Sequence, residues 1–274
     1  MLVLDGDVKN STYSYLFEEK YPDRFIQCYI AEQNMVGVAL GLWRGGFEPW
    51  VATFSAFFTR AHDQIRMAAL SGAAIKFHGS HAGVSIGADG PSQMGLQDLA
   101  LFRGIPGSTV LSPSDPFQTE KLVLEMSKTK GIAYMRTMRD DTPVLYNDTD
   151  DFTVGGSRVF GDGPVTVIAT GVTVHEALKA QKEVPGIRVI DCYSIKPIDA
   201  ATLKKAVATS KAIIVVEDHY PEGGLGEAVS SLIGPITHLA VRKIPRSGKP
   251  EELLAYEQVD AKAIADAAKR VTSR

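Results

Sequence analysis

The feature that most constrains the fold is a strict alternation. Short apolar runs rich in β-formers are followed, repeatedly, by stretches with helical periodicity. In the first part the sequence predicts strands over 3–7, 25–30, 49–54, 74–78, 110–112 and 132–136, with helical patterns between them at 59–70 and 116–126. In the second it predicts strands over 165–169, 187–191, 212–217 and 236–241, and helices over 174–182, 200–208, 226–233 and 255–271. Alternation of this kind argues for parallel sheets with helices on both faces. A polar passage, from Arg139-Asp140-Asp141-Thr142-Pro143 to Asn147-Asp148-Thr149-Asp150-Asp151, interrupts it. The expected architecture is α/β with two domains, 1–145 and 146–274, each a mainly parallel sheet flanked by helices.

Several function classes drop out early. With a net charge of −3 and no Lys/Arg cluster, the chain carries no nucleic-acid footprint. No apolar run approaches the ~18 residues of a membrane span. Met1 is followed by Leu2-Val3-Leu4-Asp5-Gly6-Asp7, without a basic region or cleavage site, so no signal peptide is expected. Cys28 and Cys192 lie in apolar, strand-like runs without ligand spacing. They read as buried, reduced thiols of a cytoplasmic protein.

The unusual polar residues collect where the predicted strands end. Asp7 with Lys9-Asn10-Ser11 ends the first, and Glu32 ends the second. Phe54, Phe57 and Phe58 follow the third, Gly79-Ser80-His81-Ala82-Gly83 the fourth, and Arg136 and Arg139 the last of the first series. In a parallel sheet this is the carboxyl edge, where ligands bind. One site with a carboxylate, an imidazole, guanidiniums and an aromatic wall is implied. Each residue also has a structural explanation. Glu32 suits a helix start; the three phenylalanines have the spacing of core packing; Arg139 is a solvated charge beside Asp140 and Asp141. His81 alone is more often structural than catalytic, but the run 79–94 has four glycines and no sustained hydrophobic period, and long irregular loops tend to be functional.

Nucleophile and phosphate-loop signatures are absent. Gly223-Gly224-Leu225-Gly226 opens a helix without the full dinucleotide fingerprint. The six histidines show no metal-ligand spacing.

Longer motifs carry a resemblance. They are Leu4-Asp5-Gly6-Asp7 with Lys9-Asn10-Ser11-Thr12, Ile30-Ala31-Glu32-Gln33-Asn34-Met35, Phe57-Phe58-Thr59-Arg60, and Asp63-Gln64-Ile65-Arg66-Met67-Ala68. Further along come Gly79-Ser80-His81, Gly83-Val84-Ser85-Ile86-Gly87, Asp89-Gly90-Pro91-Ser92-Gln93-Met94, Glu217-Asp218-His219-Tyr220 and Ile244-Pro245-Arg246-Ser247-Gly248-Lys249-Pro250. Together they resemble the transketolase family, thiamine-diphosphate enzymes that move two-carbon ketol units between sugar phosphates. The likeness runs through the whole chain and is nearest the animal-type enzymes. It covers the pyrimidine-binding domain and the C-terminal domain of a three-domain family. The family's metal motif, Gly-Asp-Gly with an Asn downstream, is not completed: Gly161-Asp162-Gly163 matches the tripeptide, but no Asn follows Asn147. The resemblance therefore implies the C-terminal subunit of a split transketolase. A homodimer of this chain would work with an N-terminal subunit carrying the diphosphate- and Mg²⁺-binding domain.

Carried over by motif, Glu32 resembles the catalytic glutamate on the aminopyrimidine nitrogen, where an acid promotes the imino tautomer. Phe54 and Phe57 resemble the rings that pack the pyrimidine, in a poorly solvated site. Asp7 resembles a carboxylate beside the cofactor, and Gln93 stands where some members have His. His81 and Asp89 resemble residues that hold sugar hydroxyls, His81 with a catalytic part as well. Ser11 and Arg139 resemble binders of the substrate phosphate, a dianion suited to guanidinium; a further phosphate-binding Arg of the family is expected from outside this stretch. No metal ligand is assigned to this chain. Alternatives are a beta-type subunit of a 2-oxo-acid dehydrogenase, dihydroxyacetone synthase, deoxyxylulose-phosphate synthase, or a non-catalytic regulatory homologue. An oxo-acid has no distal phosphate for Ser11 and Arg139.

Overall fold

A computed structural model describes residues 1–272. Among them twelve strands form two sheets, the first seven-stranded and the second five-stranded. The first sheet contains β1 (Leu2–Asp5), β2 (Phe25–Gln27), β3 (Pro49–Phe54), β4 (Lys76–Ser80), β5 (Thr109–Leu111) and β6 (Ala133–Arg136). The second contains β7 (Arg158–Phe160), β8 (Val165–Ala169), β9 (Ile187–Asp191), β11 (Ala212–Val216) and β12 (Thr237–Leu239). The remaining strand, β10 (Ser194–Lys196), comes from the second series but pairs with β5, so the first sheet runs β10-β5-β6-β4-β3-β1-β2. The second runs β12-β11-β8-β9-β7. Only β10 and β7, each at an edge, are antiparallel. The expected pair of mainly parallel sheets flanked by helices is what the chain adopts.

Burial explains the strand composition. Every residue of β8 is buried, as helices covering both faces require. Some helix starts use local side-chain caps. Asp115 accepts the Gln118 N–H at 2.8 Å with Pro116 in the first turn, and Asp199 accepts the Thr202 N–H at 3.0 Å. The polar passage at 139–151 contains no helix or strand. The two cysteines are buried free thiols, and burial pushes Cys28 up to about 11 and Cys192 further.

Several sequence expectations change, among them the predicted strands at 25–30, 74–78 and 236–241, which are Phe25–Gln27, Lys76–Ser80 and Thr237–Leu239. The closing helix is two helices, Pro250–Glu257 and Ala261–Thr272. Gln258 between them is left-handed (φ 60°), Val259 N–H reaches back to Leu254, and Asp260 caps the second helix by accepting the Ala263 N–H. The predicted strand at 3–7 ends at Asp5, because Asp7 has φ 69° and a short helix, Lys9–Thr12, follows. The predicted helix at 59–70 begins in its α form only at His62, after a 3₁₀ segment, Ser55–Ala61.

Candidate active site

That 3₁₀ segment arranges the aromatic residues. With three residues per turn, side chains at i and i+3 eclipse. Phe54 and Phe57 therefore stack, centroids 5.1 Å apart and planes 20° apart, and Arg60 lies 4.5 Å over the Phe57 ring. Phe58, one position out of this register, points into the core and is fully buried, edge-on to Phe77, Phe102 and Tyr134. Of the three phenylalanines, two face the site and the third packs the core.

Glu32 is the first residue of the helix Glu32–Arg44. Its side chain is only 3% exposed, and Arg60 Nη1 donates to its Oε1 at 2.5 Å. The expected poorly solvated surroundings are present, but the immediate partner is a guanidinium. A cavity of about 540 Å³ opens in front, lined by Ile30, Ala31, Glu32, Gln33, Asn34 and Arg60.

On the other side of the aromatic pair stands His81, just after β4. Its imidazole stacks on Phe54 with centroids 3.8 Å apart and planes 9° apart. His81 has φ 57°, a conformation that turns the chain sharply at the strand end. Its Nδ1 shares a hydrogen bond with Ser80 Oγ at 2.8 Å, leaving Nε2 3.7 Å from Asp89 Oδ2. Burial lowers the proton affinity of His81 below the ordinary histidine value; Asp89 opposes this and Arg139 adds to it. Asp89 Oδ1 lies 3.4 Å from Arg139 Nη1, which also donates to the Ile86 carbonyl at 3.0 Å. Ser11, His81 and Arg139 line one cavity of about 230 Å³ with Asn10, Tyr13 and Asp140.

Contacts thus run from Glu32 through Arg60, Phe57, Phe54, His81 and Asp89 to Arg139. Three predicted residues stand outside that run: Ser11, which only shares the cavity with His81 and Arg139, Asp7 and Gln93. Asp7 is exposed and accepts from Gln27 Nε2 at 2.9 Å, and Gln93 is half-buried with its oxygen taken by Ser92 Oγ. Both still lie in loops at the carboxyl edge.

The Glu217-Asp218-His219 motif, from the second series, holds this site in shape. Asp218 accepts the N–H groups of Val84 at 2.7 Å and Ser85 at 3.2 Å, in the loop that follows His81. A Cβ on Gly83 (φ 83°) would collide with that carboxylate, so this position requires glycine. Buried Arg136 ties Asp98 at 2.9 Å to the Gly95 and Asp218 carbonyls. Glu217 accepts the Leu225 and Gly226 N–H groups, filling the glycine-rich helix start with the protein's own carboxylate rather than a phosphate. Arg60 and Asp218 lie in the sequence motifs with no role that local pattern assigns. The spacing of Phe54, Phe57 and Arg60, three residues apart each time, was the available signal for Arg60.

The comparisons follow the same division of the chain. Sequence models for the transketolase pyrimidine binding domain and the transketolase C-terminal domain match residues 1–144 and 161–264. The chain is 53% identical to transketolase of Homo sapiens, over 100% of this chain and 46% of that protein. It is 49% identical to transketolase-like protein 1 of Bos taurus, over 99% of this chain and 48% of that protein. It spans about half the length of these curated relatives. A solved structure described as a split gene transketolase, inactive beta4 tetramer, aligns with a TM-score of 0.89 at 31% identity, over 99% of this chain and 91% of that one. A transketolase from Campylobacter jejuni shares the fold, with a TM-score of 0.83 at 19% identity over 98% of this chain and 43% of that one.

Proposed function

The chain belongs to the transketolase family, and from that premise we propose that it is the carboxyl-terminal subunit of a split transketolase. In this reading it works as a cytoplasmic homodimer, with domains 1–145 and 146–274. A complementary N-terminal subunit binds the diphosphate and Mg²⁺, and a two-carbon ketol unit passes from a ketose phosphate to an aldose phosphate. The residues present fit the pyrimidine half of thiamine diphosphate: a buried carboxylate opens onto a cavity beside a stacked aromatic pair. Among the described residues no group of three or more His, Cys, Asp or Glu is placed to hold a metal ion.

Thiamine diphosphate, when bound, would supply the nucleophilic carbon that ketol transfer needs. Glu32 would be the acid–base partner of the aminopyrimidine ring nitrogen, and Phe54 and Phe57 would pack the ring and exclude water. Asp7 and Gln93 make polar contacts beside it. His81 and Asp89 hold the sugar hydroxyls. Burial lowers the proton affinity of His81, and its Nε2, free of the Ser80 hydrogen bond, is available to a hydroxyl. Ser11 and Arg139 bind the substrate phosphate.

What supports the reading is the single run of contacts from Glu32 to Arg139 across the carboxyl edge. The test is reconstitution. The chain is mixed with a separately purified N-terminal half, thiamine diphosphate and Mg²⁺, and ketol transfer is followed. Activity from the mixture and from neither half alone is expected. Turnover by this chain alone, or none by the mixture, would overturn it.

A further inference from the structure

We propose that Arg60 is a latch that closes the pyrimidine half-site while the chain is unassembled, an inference that rests on the functional reading above. One side chain engages both elements on which that site depends. The guanidinium bonds Glu32 Oε1 at 2.5 Å and lies 4.5 Å over the Phe57 ring. A flat heterocycle that hydrogen-bonds Glu32 and packs on Phe57 needs the space the guanidinium fills. The 3₁₀ register directs Arg60 there, since Phe54, Phe57 and Arg60 are eclipsed at three-residue intervals.

The same geometry makes the latch releasable. Glu32 is buried, but the Arg60 side chain is 50% exposed. Among the described residues Glu32 is its only ion-pair partner, and Asp63, three residues on, pairs with Arg66 at 2.7 Å. The cavity in front of Glu32 gives the side chain room to swing out. Partly exposed ion pairs and cation–π contacts are individually weak. The contact therefore shields a buried carboxylate in the free chain and yields to a ring that satisfies Glu32 better.

The experiment uses the full chain and the hydroxymethyl-aminopyrimidine fragment of the cofactor, which lacks the diphosphate. Calorimetry compares wild type, Arg60→Ala and Glu32→Ala at low and high salt. Removing a latch that is closed most of the time should tighten fragment binding roughly three- to tenfold in Arg60→Ala. Added salt should tighten binding to wild type, by screening the ion pair, and leave Arg60→Ala unchanged. Equal or weaker binding by Arg60→Ala, with binding still lost in Glu32→Ala, would overturn the latch alone and leave the pyrimidine site standing. Fragment binding that ignores Glu32, or no binding by any of the three proteins, would overturn the site reading and the latch with it.

Discussion

Replacing Gly37 and Gly41 together by alanine should move two quantities in opposite directions. Both glycines lie inside the helix Glu32–Arg44, four residues apart and hence on one face, and both are exposed. A Cβ built at either meets nothing within 4 Å, so no contact within the chain requires glycine there. In a helix interior Gly is less favourable than Ala by about 1 kcal/mol, so the double variant should stabilise the isolated chain by about 2 kcal/mol. If this face packs closely on a second copy, the methyl groups overfill the interface, at a cost of about 1–3 kcal/mol. That corresponds to a dissociation constant weakened roughly five- to 150-fold. Urea unfolding at a concentration where the chain is monomeric reads the first quantity, and sedimentation velocity over a dilution series reads the second. A stabilised chain whose self-association is unchanged would refute the argument that the open face of this helix serves the dimer. A destabilised chain would refute the reading of the open space itself.

Other outcomes follow from the site and the core. In the reconstituted complex, Glu32→Gln should keep fragment binding but slow turnover with every donor by about 10²–10⁴-fold, the usual contribution of a general acid; near-normal turnover would remove Glu32 from that role. Arg139→Ala should raise KM for phosphorylated sugars and spare hydroxypyruvate, because only the former present a dianion; equal harm to both donors in steady-state kinetics would reassign it. Burial raises Asp191, whose Oδ2 accepts from Ser114, Gln118 and Tyr146, from the ordinary 3.8 to about 6. The folded state therefore prefers it protonated, and its stabilisation, full below about 4, is lost as pH rises through about 6, amounting to about 3 kcal/mol at 1.36 kcal/mol per unit. Asp191→Asn should remove that slope and be the more stable protein at pH 7.5, as urea midpoints at two pH values will show.

How legible this was in the sequence depends on the range of the forces involved. Strands such as β8 and β9 follow from local composition, and the sequence places both at their observed limits. The gathering of Glu32, Phe54, His81 and Arg139 at one edge follows from topology, since every carboxyl end in a parallel sheet faces the same way. The difference between Phe57 and Phe58 was hidden, because the same spacing reads as an α-helical core face until the 3₁₀ geometry is known. β10 was invisible for another reason: three residues carry no pattern of their own, and their partner β5 lies more than eighty residues earlier in the chain. The break at Gln258 escaped an Ala-rich periodicity in which the capping Asp260 was the only local sign.

The largest blind spot concerns how the two halves depend on each other. Read in order, the chain is two similar units joined by a polar passage, with every candidate ligand-binding residue in the first. In the structure the second half completes the first. β10 extends the first sheet, and Asp218 fixes the backbone just beyond His81. Arg136 reaches from β6 to the Asp218 carbonyl. These are buried hydrogen bonds, and leaving either partner unsatisfied costs about 1–3 kcal/mol, more where a charge is involved. The loop carrying His81 and Asp89 is rich in glycine, with positive φ at Gly83, Gly87 and Gly90, and its apolar residues Val84, Ile86 and Met94 are buried in the core of the second half. Its shape is therefore set from outside, by the Asp218 carboxylate and by Ser247 and Pro250, whose side chains lie against Gly90 and Gly87. The second half, which contributes no residue to the run from Glu32 to Arg139, decides where His81 and Asp89 stand.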